Sequence, residues 1–274
     1  MKVFYNESQC VSDNVSFSPS AGKPRYVVDV FRSFPQVKIV SNWAPLSKED
    51  FYLVHEPRHV NDTLLCNKPN GFGNYLPSVA SSLYWTNGSM YAAAKAALTE
   101  KVTMSPTSGF HHAGYDFNGG FCTFNGLMLA AVSLKNDKLV DTVGIVDFDM
   151  HWGNGTVDII ERFYIDYVSH IGLSDRPVYA IGDWLDSLYG ELIMKFSSCN
   201  LLLYQAGADC HVNDPLGGLL TTEQMKKRDR IVFQFAKDHN IPIAWNLAGG
   251  YQEPIEKVIE LHVNTLTECL QIYT

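Results

Sequence analysis

Short apolar runs rich in Val, Ile and Leu recur at residues 3–5, 37–40, 102–104, 143–148, 167–171, 201–205 and 243–247. Between them lie stretches of helical character: 26–33, an Ala-rich segment within 83–98, then 126–134, 157–163, 185–196, 223–238 and 255–271. Strands that are apolar at nearly every position are covered on both faces. Their alternation with helices predicts an α/β fold of three layers, a mainly parallel sheet with helices on both faces. Thr222 reads as the N-cap of the helix beginning at Glu223, and Pro254 as a first-turn residue of the last helix. No repeat, low-complexity tract or composition break marks a linker, so one domain is expected.

Composition removes several classes of function. The formal net charge is −8, and no Lys/Arg cluster follows a phosphate backbone, so nucleic acid is excluded as a direct ligand. Lys226-Lys227-Arg228, followed at once by Asp229, reads as a solvated helix face. The six cysteines are scattered without a C-x-x-C pair, which suggests free thiols in a reducing compartment. The first seven residues turn polar too soon for a signal peptide. No apolar run approaches the roughly 20 residues of a membrane span. A soluble, cytoplasmic protein that does not enter membranes is expected, with its oligomeric state unspecified.

Four segments carry the chemistry: the tandem His111-His112, the run Asp147-x-Asp149-x-His151, Asp209 and Tyr251. Three of them lie just past an expected strand, where parallel α/β sheets place their sites. Alternate residues of an extended segment point the same way, so Asp147, Asp149 and His151 share a face. Asp149 and His151 are placed to bind one metal ion, with Asp147 a step deeper. Asp209 follows residues 201–205 through Ala206-Gly207-Ala208. Two carboxylates and one imidazole leave a tetrahedral Zn²⁺ an open position for water. Glycines at 109 and 114 permit a loop in which His111 and His112 act together, one as general base and acid, the other as an electrostatic contact. A phenol at Tyr251, after Gly249-Gly250, can donate to a developing oxyanion. Each segment alone also has a plainer account: a strand-end turn, loop-capping acids at Asp209 and Asp214, a surface His pair, a boundary tyrosine.

Five segments in order resemble the zinc-dependent histone deacetylase superfamily. They are Gly109-Phe-His-His-Ala, Gly119-Gly-Phe-Cys, Val146-Asp-Phe-Asp-Met-His-Trp-Gly-Asn-Gly-Thr156, Ala206-Gly-Ala-Asp-Cys-His-Val-Asn-Asp-Pro-Leu-Gly-Gly218 and Leu247-Ala-Gly-Gly-Tyr251. The resemblance implies the arginase–deacetylase fold, a single deacetylase-type catalytic domain over residues 1–274, and amide hydrolysis. By position, Asp149, His151 and Asp209 match the zinc ligands, with Fe²⁺ as an alternative metal. His112 matches the general base and acid, His111 the second His paired with Asp147, and Tyr251 the oxyanion-stabilising phenol. Asn154 takes the place where some classes carry Asp behind the catalytic His. A structural potassium ion is implied at Asp147, Asp149, His151, Ser169 and His170.

The same comparison bears on substrate. Phe121, after Gly120, matches an aromatic wall of a channel for an aliphatic lysine stem, and Gly249 is a second backbone position along it. The opposite wall, usually aromatic, falls on Val178 with Tyr179 beside it, which departs from the pattern. Leu216 stands where polyamine-specific relatives tend to carry an acid, so acyl-lysine on a peptide or protein is the expected substrate. Acetylpolyamine is the alternative, and an inactive acyl-lysine-binding module a weaker one. A ureohydrolase would want a second acid where His211 stands. The stretch Gly73-Asn74-Tyr75 lacks the Asp that grips substrate amides in many relatives. Arg25 is matched to an Arg lining an acetate exit path.

Overall fold

The computed structural model describes residues 1–175 and 181–274. Its strands are β1 (Lys2–Phe4), β2 (Lys38–Val40), β3 (Val102–Ser105), β4 (Val143–Asp147), β5 (Val168–Gly172), β6 (Leu201–Gly207) and β7 (Ile243–Ala248). They pair in parallel throughout, in the order β2-β1-β3-β7-β6-β4-β5. Every expected apolar run is a strand. The largest boundary difference is in β6, which stays in the sheet through Ala206 and Gly207 because it pairs on both sides, with β4 and β7.

The helices are α1 (Lys23–Phe31), α2 (Lys48–Phe51), α3 (Pro57–Leu64), α4 (Pro77–Glu100), α5 (Gly126–Asn136), α6 (Asn154–Arg162), α7 (Ile181–Phe196), α8 (Thr222–Asp238) and α9 (Glu256–Tyr273). Two were not foreseen. Both α2 and α3 are too short and polar to show a helical apolar period, and their starts rest on local chemistry instead. Ser47 and Asp50 form a capping box before α2, and Pro57 opens α3. The N-cap of α8 is Thr221 rather than Thr222. Its hydroxyl accepts from the Gln224 N–H while the Gln224 side chain accepts from Thr221, and the Thr222 hydroxyl is engaged with His211 Nε2 at 3.0 Å. Pro254 also lies before the helix it was assigned to, in the turn leading to α9.

Side-chain alternation along the strands splits the interior into two cores. Leu201, Leu203, Val143, Ile145 and Ala244 pack under α4, α5 and α6. Leu202, Tyr204, Val146, Trp245 and Leu247 pack under α1, α7, α8 and α9. The sheet is therefore the middle of three layers. The triplet at 226–228 is only partly the solvated face expected: Lys226 and Lys227 pair with exposed acids, whereas Arg228 is fully buried. All six thiols are free. No described helix is long and apolar enough to cross a membrane.

Buried polar groups pin the loops to one another, and His55 is one whose energetics depend on acid pH. Its Nδ1 lies 2.7 Å from the Gly114 carbonyl and its Nε2 accepts from the Asn125 N–H at 2.9 Å. Burial depresses its pKa to about 3, against the Gly114 hydrogen bond that raises it. Between the unfolded value of about 6.5 and pH 3 the unfolded chain takes up a proton that the folded chain refuses. Stability should thus fall with decreasing pH in that window, by about 1.4 kcal/mol per pH unit for this one group. Denaturant titrations at several pH values should show a flatter slope in His55→Gln.

Candidate functional site

The carboxyl ends of β4, β6 and β7 lie side by side, and the loops leaving them carry the candidate residues. Past Asp147, the Phe148 N–H still donates to the Gln205 carbonyl at 3.0 Å before the chain turns away. In that turn each acid caps the backbone two residues on: Asp147 Oδ1 accepts from the Asp149 N–H at 3.3 Å, and Asp149 Oδ1 from the His151 N–H at 2.9 Å. Asp209, carried by the loop after β6, reaches across and accepts from the Met150 N–H at 3.1 Å. His151 Nδ1 lies 2.9 Å from Asp209 Oδ2 and 3.1 Å from Asp149 Oδ1. One ligand atom from each of Asp149, His151 and Asp209 falls within 4.8 Å of the others. Such convergence needs bare backbone nearby. Gly249 adopts φ +47°, and a Cβ there would sit 2.3 Å from the Asp209 Cγ.

The tandem imidazoles come from the loop after β3 and are anchored on the first turn of α6. Gly155 and Thr156 donate their N–H groups to the His111 carbonyl at 2.9 and 3.1 Å. His111 Nδ1 lies 2.9 Å from Asp147 Oδ2, and its Nε2 is 3.5 Å from Asp149 Oδ1. Asp147 is held in turn by the Gln205 side-chain N–H at 2.9 Å. His112 Nδ1 lies 2.6 Å from the side-chain carbonyl of Asn154. The two rings, 4.1 Å apart, are driven in opposite directions. Burial lowers the pKa of His111, but the charges of Asp147 and Asp149 outweigh it and raise the value to about 9. Burial, then the neighbouring His111 charge, push His112 down. An imidazole that stays neutral with Nδ1 tied to an acceptor presents a basic Nε2.

Tyr251 is set by Asp214, which accepts its N–H at 2.8 Å. Its ring lies between Phe121 at 5.6 Å and Phe17 at 5.8 Å, the latter nearly parallel. Burial, followed by the charges of Asp149 and Asp209, pushes the phenol well above its ordinary pKa, so it remains a donor. Gly120 meets the site through His112, because a Cβ on it would lie 2.3 Å from the ring. His170 on β5 has Nε2 3.7 Å from Asp147 Oδ2, and Ser169 precedes it. Leu216 is exposed, and its N–H donates to Asp214. Val178 and Tyr179 lie outside the described residues. The Asn74 side chain is occupied, accepting from Asn70 in its own loop and donating to Asn14 in the N-terminal segment.

Three neighbours went unforeseen. Lys23, at the start of α1, is fully buried and donates to the Gly249 carbonyl; burial lowers its pKa to about 8, with the Asp209 charge opposing. Arg25, two residues on, is half-buried and pairs with Glu7. Nothing local distinguishes the two in sequence; their places on the helix bury Lys23 fully and Arg25 only in part. Phe17 sits in a polar, Ser-rich loop with no periodicity to announce it, and Gln205 reads as one residue of an apolar strand.

A family profile described as histone deacetylase domain matches residues 23–171 and 180–266. Histone deacetylase 2 of Arabidopsis thaliana is 26% identical over 270 residues, covering 85% of this chain and 69% of that protein. Among solved structures, the HDA15 HD domain superposes with a TM-score of 0.77 at 18% identity, covering 99% of this chain and 88% of its own. An acetylpolyamine aminohydrolase from Burkholderia pseudomallei does so with a TM-score of 0.76 at 17% identity, over 99% of both chains. The architecture is thus the three-layer α/β arginase–deacetylase fold.

Proposed function

Because the chain belongs to the histone deacetylase family, we propose that it is a zinc-dependent amidohydrolase that removes acetyl or other short acyl groups from lysine side chains of peptides or proteins. The observation that carries this reading is the meeting of Asp149, His151 and Asp209 beside two imidazoles of opposite pKa shift. The donor set fits a divalent cation. Two buried carboxylates face each other, and burial together with the Asp149 charge pushes Asp209 up, the mark of acids held close in a dry pocket. One imidazole and two carboxylates suit Zn²⁺, with Fe²⁺ an acceptable substitute. Backbone carbonyls of Asp147, Asp149 and His151, with Ser169 and His170, are proposed for a structural potassium ion.

Asp149, His151 and Asp209 would hold the metal, which when bound would supply Lewis acidity toward an acyl carbonyl and water. His112 accepts a proton at Nε2 from the attacking water, its ring held by Asn154 at Nδ1. The same nitrogen then delivers that proton to the departing amine. His111, held protonated by Asp147, adds positive charge where negative charge develops. Tyr251 donates its hydroxyl to the oxyanion, and Asp214 fixes the backbone from which it reaches. Phe121, whose ring lies 5.6 Å from that of Tyr251, is proposed as an aromatic wall for an aliphatic stem.

An acetylpolyamine substrate is the second reading, supported by the superposition with the Burkholderia enzyme over 99% of both chains. Leu216, which cannot attract a second ammonium group, argues for acyl-lysine. Freshly purified protein should contain close to one equivalent of zinc or iron. In parallel assays, acetyl-, longer-acyl- and lactyl-lysine peptides should be cleaved faster than acetylspermidine or acetylputrescine. Preference for the polyamines would overturn the substrate assignment, and metal-free, inactive protein the enzyme itself.

A further inference from the structure

Arg228 in α8 is fully buried, and a guanidinium survives burial only when its donors are matched. Nε donates to Asp229 Oδ1 at 2.8 Å, and Nη2 lies 2.7 Å from the same oxygen as an ion pair without hydrogen-bond geometry. Asp229 accepts further hydrogen bonds from the Tyr204 hydroxyl and, at 2.6 Å, from Thr265 Oγ1. The pair is thereby anchored to β6 and α9.

Nη1 points the other way. It donates to the Phe148 carbonyl at 3.1 Å and the Gly207 carbonyl at 2.9 Å, and lies 2.9 Å from Cys210 Sγ. Phe148 immediately precedes Asp149, while Gly207 and Cys210 bracket Ala208-Asp209. Here the chains leaving β4 and β6 touch backbone to backbone: a Cβ on Gly207 would sit 2.4 Å from the Phe148 oxygen and 2.5 Å from the Asp149 Cα. One planar group thus ties together the two turns from which the facing carboxylates project.

We infer that Arg228 is a positioning residue for the Asp149–His151–Asp209 cluster, its guanidinium bridging the carbonyls of Phe148 and Gly207 and so setting the separation of the two carboxylates. The inference rests on the metal reading proposed above. A lysine ammonium keeps the charge opposite Asp229 but lacks the rigid fork that reaches two carbonyls and a carboxylate at once.

The test is Zn²⁺ affinity by competition with a chromogenic chelator, with circular dichroism and thermal unfolding of the metal-stripped protein in parallel. Arg228→Lys should bind Zn²⁺ roughly 10–100-fold more weakly, the usual cost of losing a group that orients metal ligands. Thr265→Val, nearly isosteric, leaves the guanidinium in place but frees one arm of Asp229; it should give a smaller loss in the same direction, and decides the matter if Arg228→Lys does not fold. Val232→Ala, in the same helix, should lose thermal stability with no loss of affinity. Wild-type affinity in both Arg228→Lys and Thr265→Val overturns the role of Arg228, as does an affinity loss in Val232→Ala that tracks its stability. Wild-type protein that takes up no Zn²⁺ overturns the metal reading itself.

Discussion

Replacing His112 with Ala is expected to lower kcat on an acetyl-lysine peptide by roughly 10²–10⁴, the usual share of general acid–base catalysis. The expectation rests on the division of labour between the imidazoles. His111 is committed to Asp147 and held protonated, whereas burial and the His111 charge keep His112 neutral, with Nδ1 on Asn154. Only the second ring is free to take a proton from water and return it to the leaving amine. Metal content should be unchanged, because His112 is not among the clustered ligand atoms. The depressed pKa also sets a sign: the basic form persists below pH 6.5, so the acid limb of kcat/KM should fall below that value. Turnover within a few-fold of wild type, at equal zinc content, would move the proton transfers to another group.

The second large effect is expected at Tyr251. Removing the hydroxyl in Tyr251→Phe deletes one donor to the oxyanion and should cost roughly 10²–10³ in kcat, with KM little altered. The phenol is suited to this because burial and the charges of Asp149 and Asp209 keep it protonated. The ring itself should stay in place, since Phe121 and Phe17 flank it and Asp214 holds its backbone N–H. Equal kinetics for the variant and wild type would remove the hydroxyl from the reaction.

Much of the fold was legible because its signals are local. A strand covered on both faces must be apolar at consecutive positions, as residues 143–146 and 201–204 are, and no distant contact is needed to see it. The short helices α2 and α3 escaped because about two turns or fewer leave few positions for an apolar period to stand out, and the shift from Thr222 to Thr221 turns on which of two adjacent threonines closes the capping box with Gln224. In the site, the residues with a local pattern were visible: Asp147, Asp149 and His151 alternate at a strand end, and the His pair sits among glycines. Lys23, Phe17 and Gln205 were not, since each enters the site from an element whose local pattern describes packing or polarity instead.

The sequence by itself determined the strands, the longer helices, their parallel arrangement and the identity of the chemically equipped loops. All of these derive from hydrophobic period and from the spacing of polar groups within a few residues. Only the tertiary structure decided which loops meet. The order β7-β6-β4 sets Asp209 beside Asp149, puts the Gly249 carbonyl within reach of a buried Lys23, and draws Arg228 out of a basic triplet into the core. Strand order is a property of how helices cross the sheet, and burial of a charge depends on partners far away in the chain; neither leaves a period in the residues that share it.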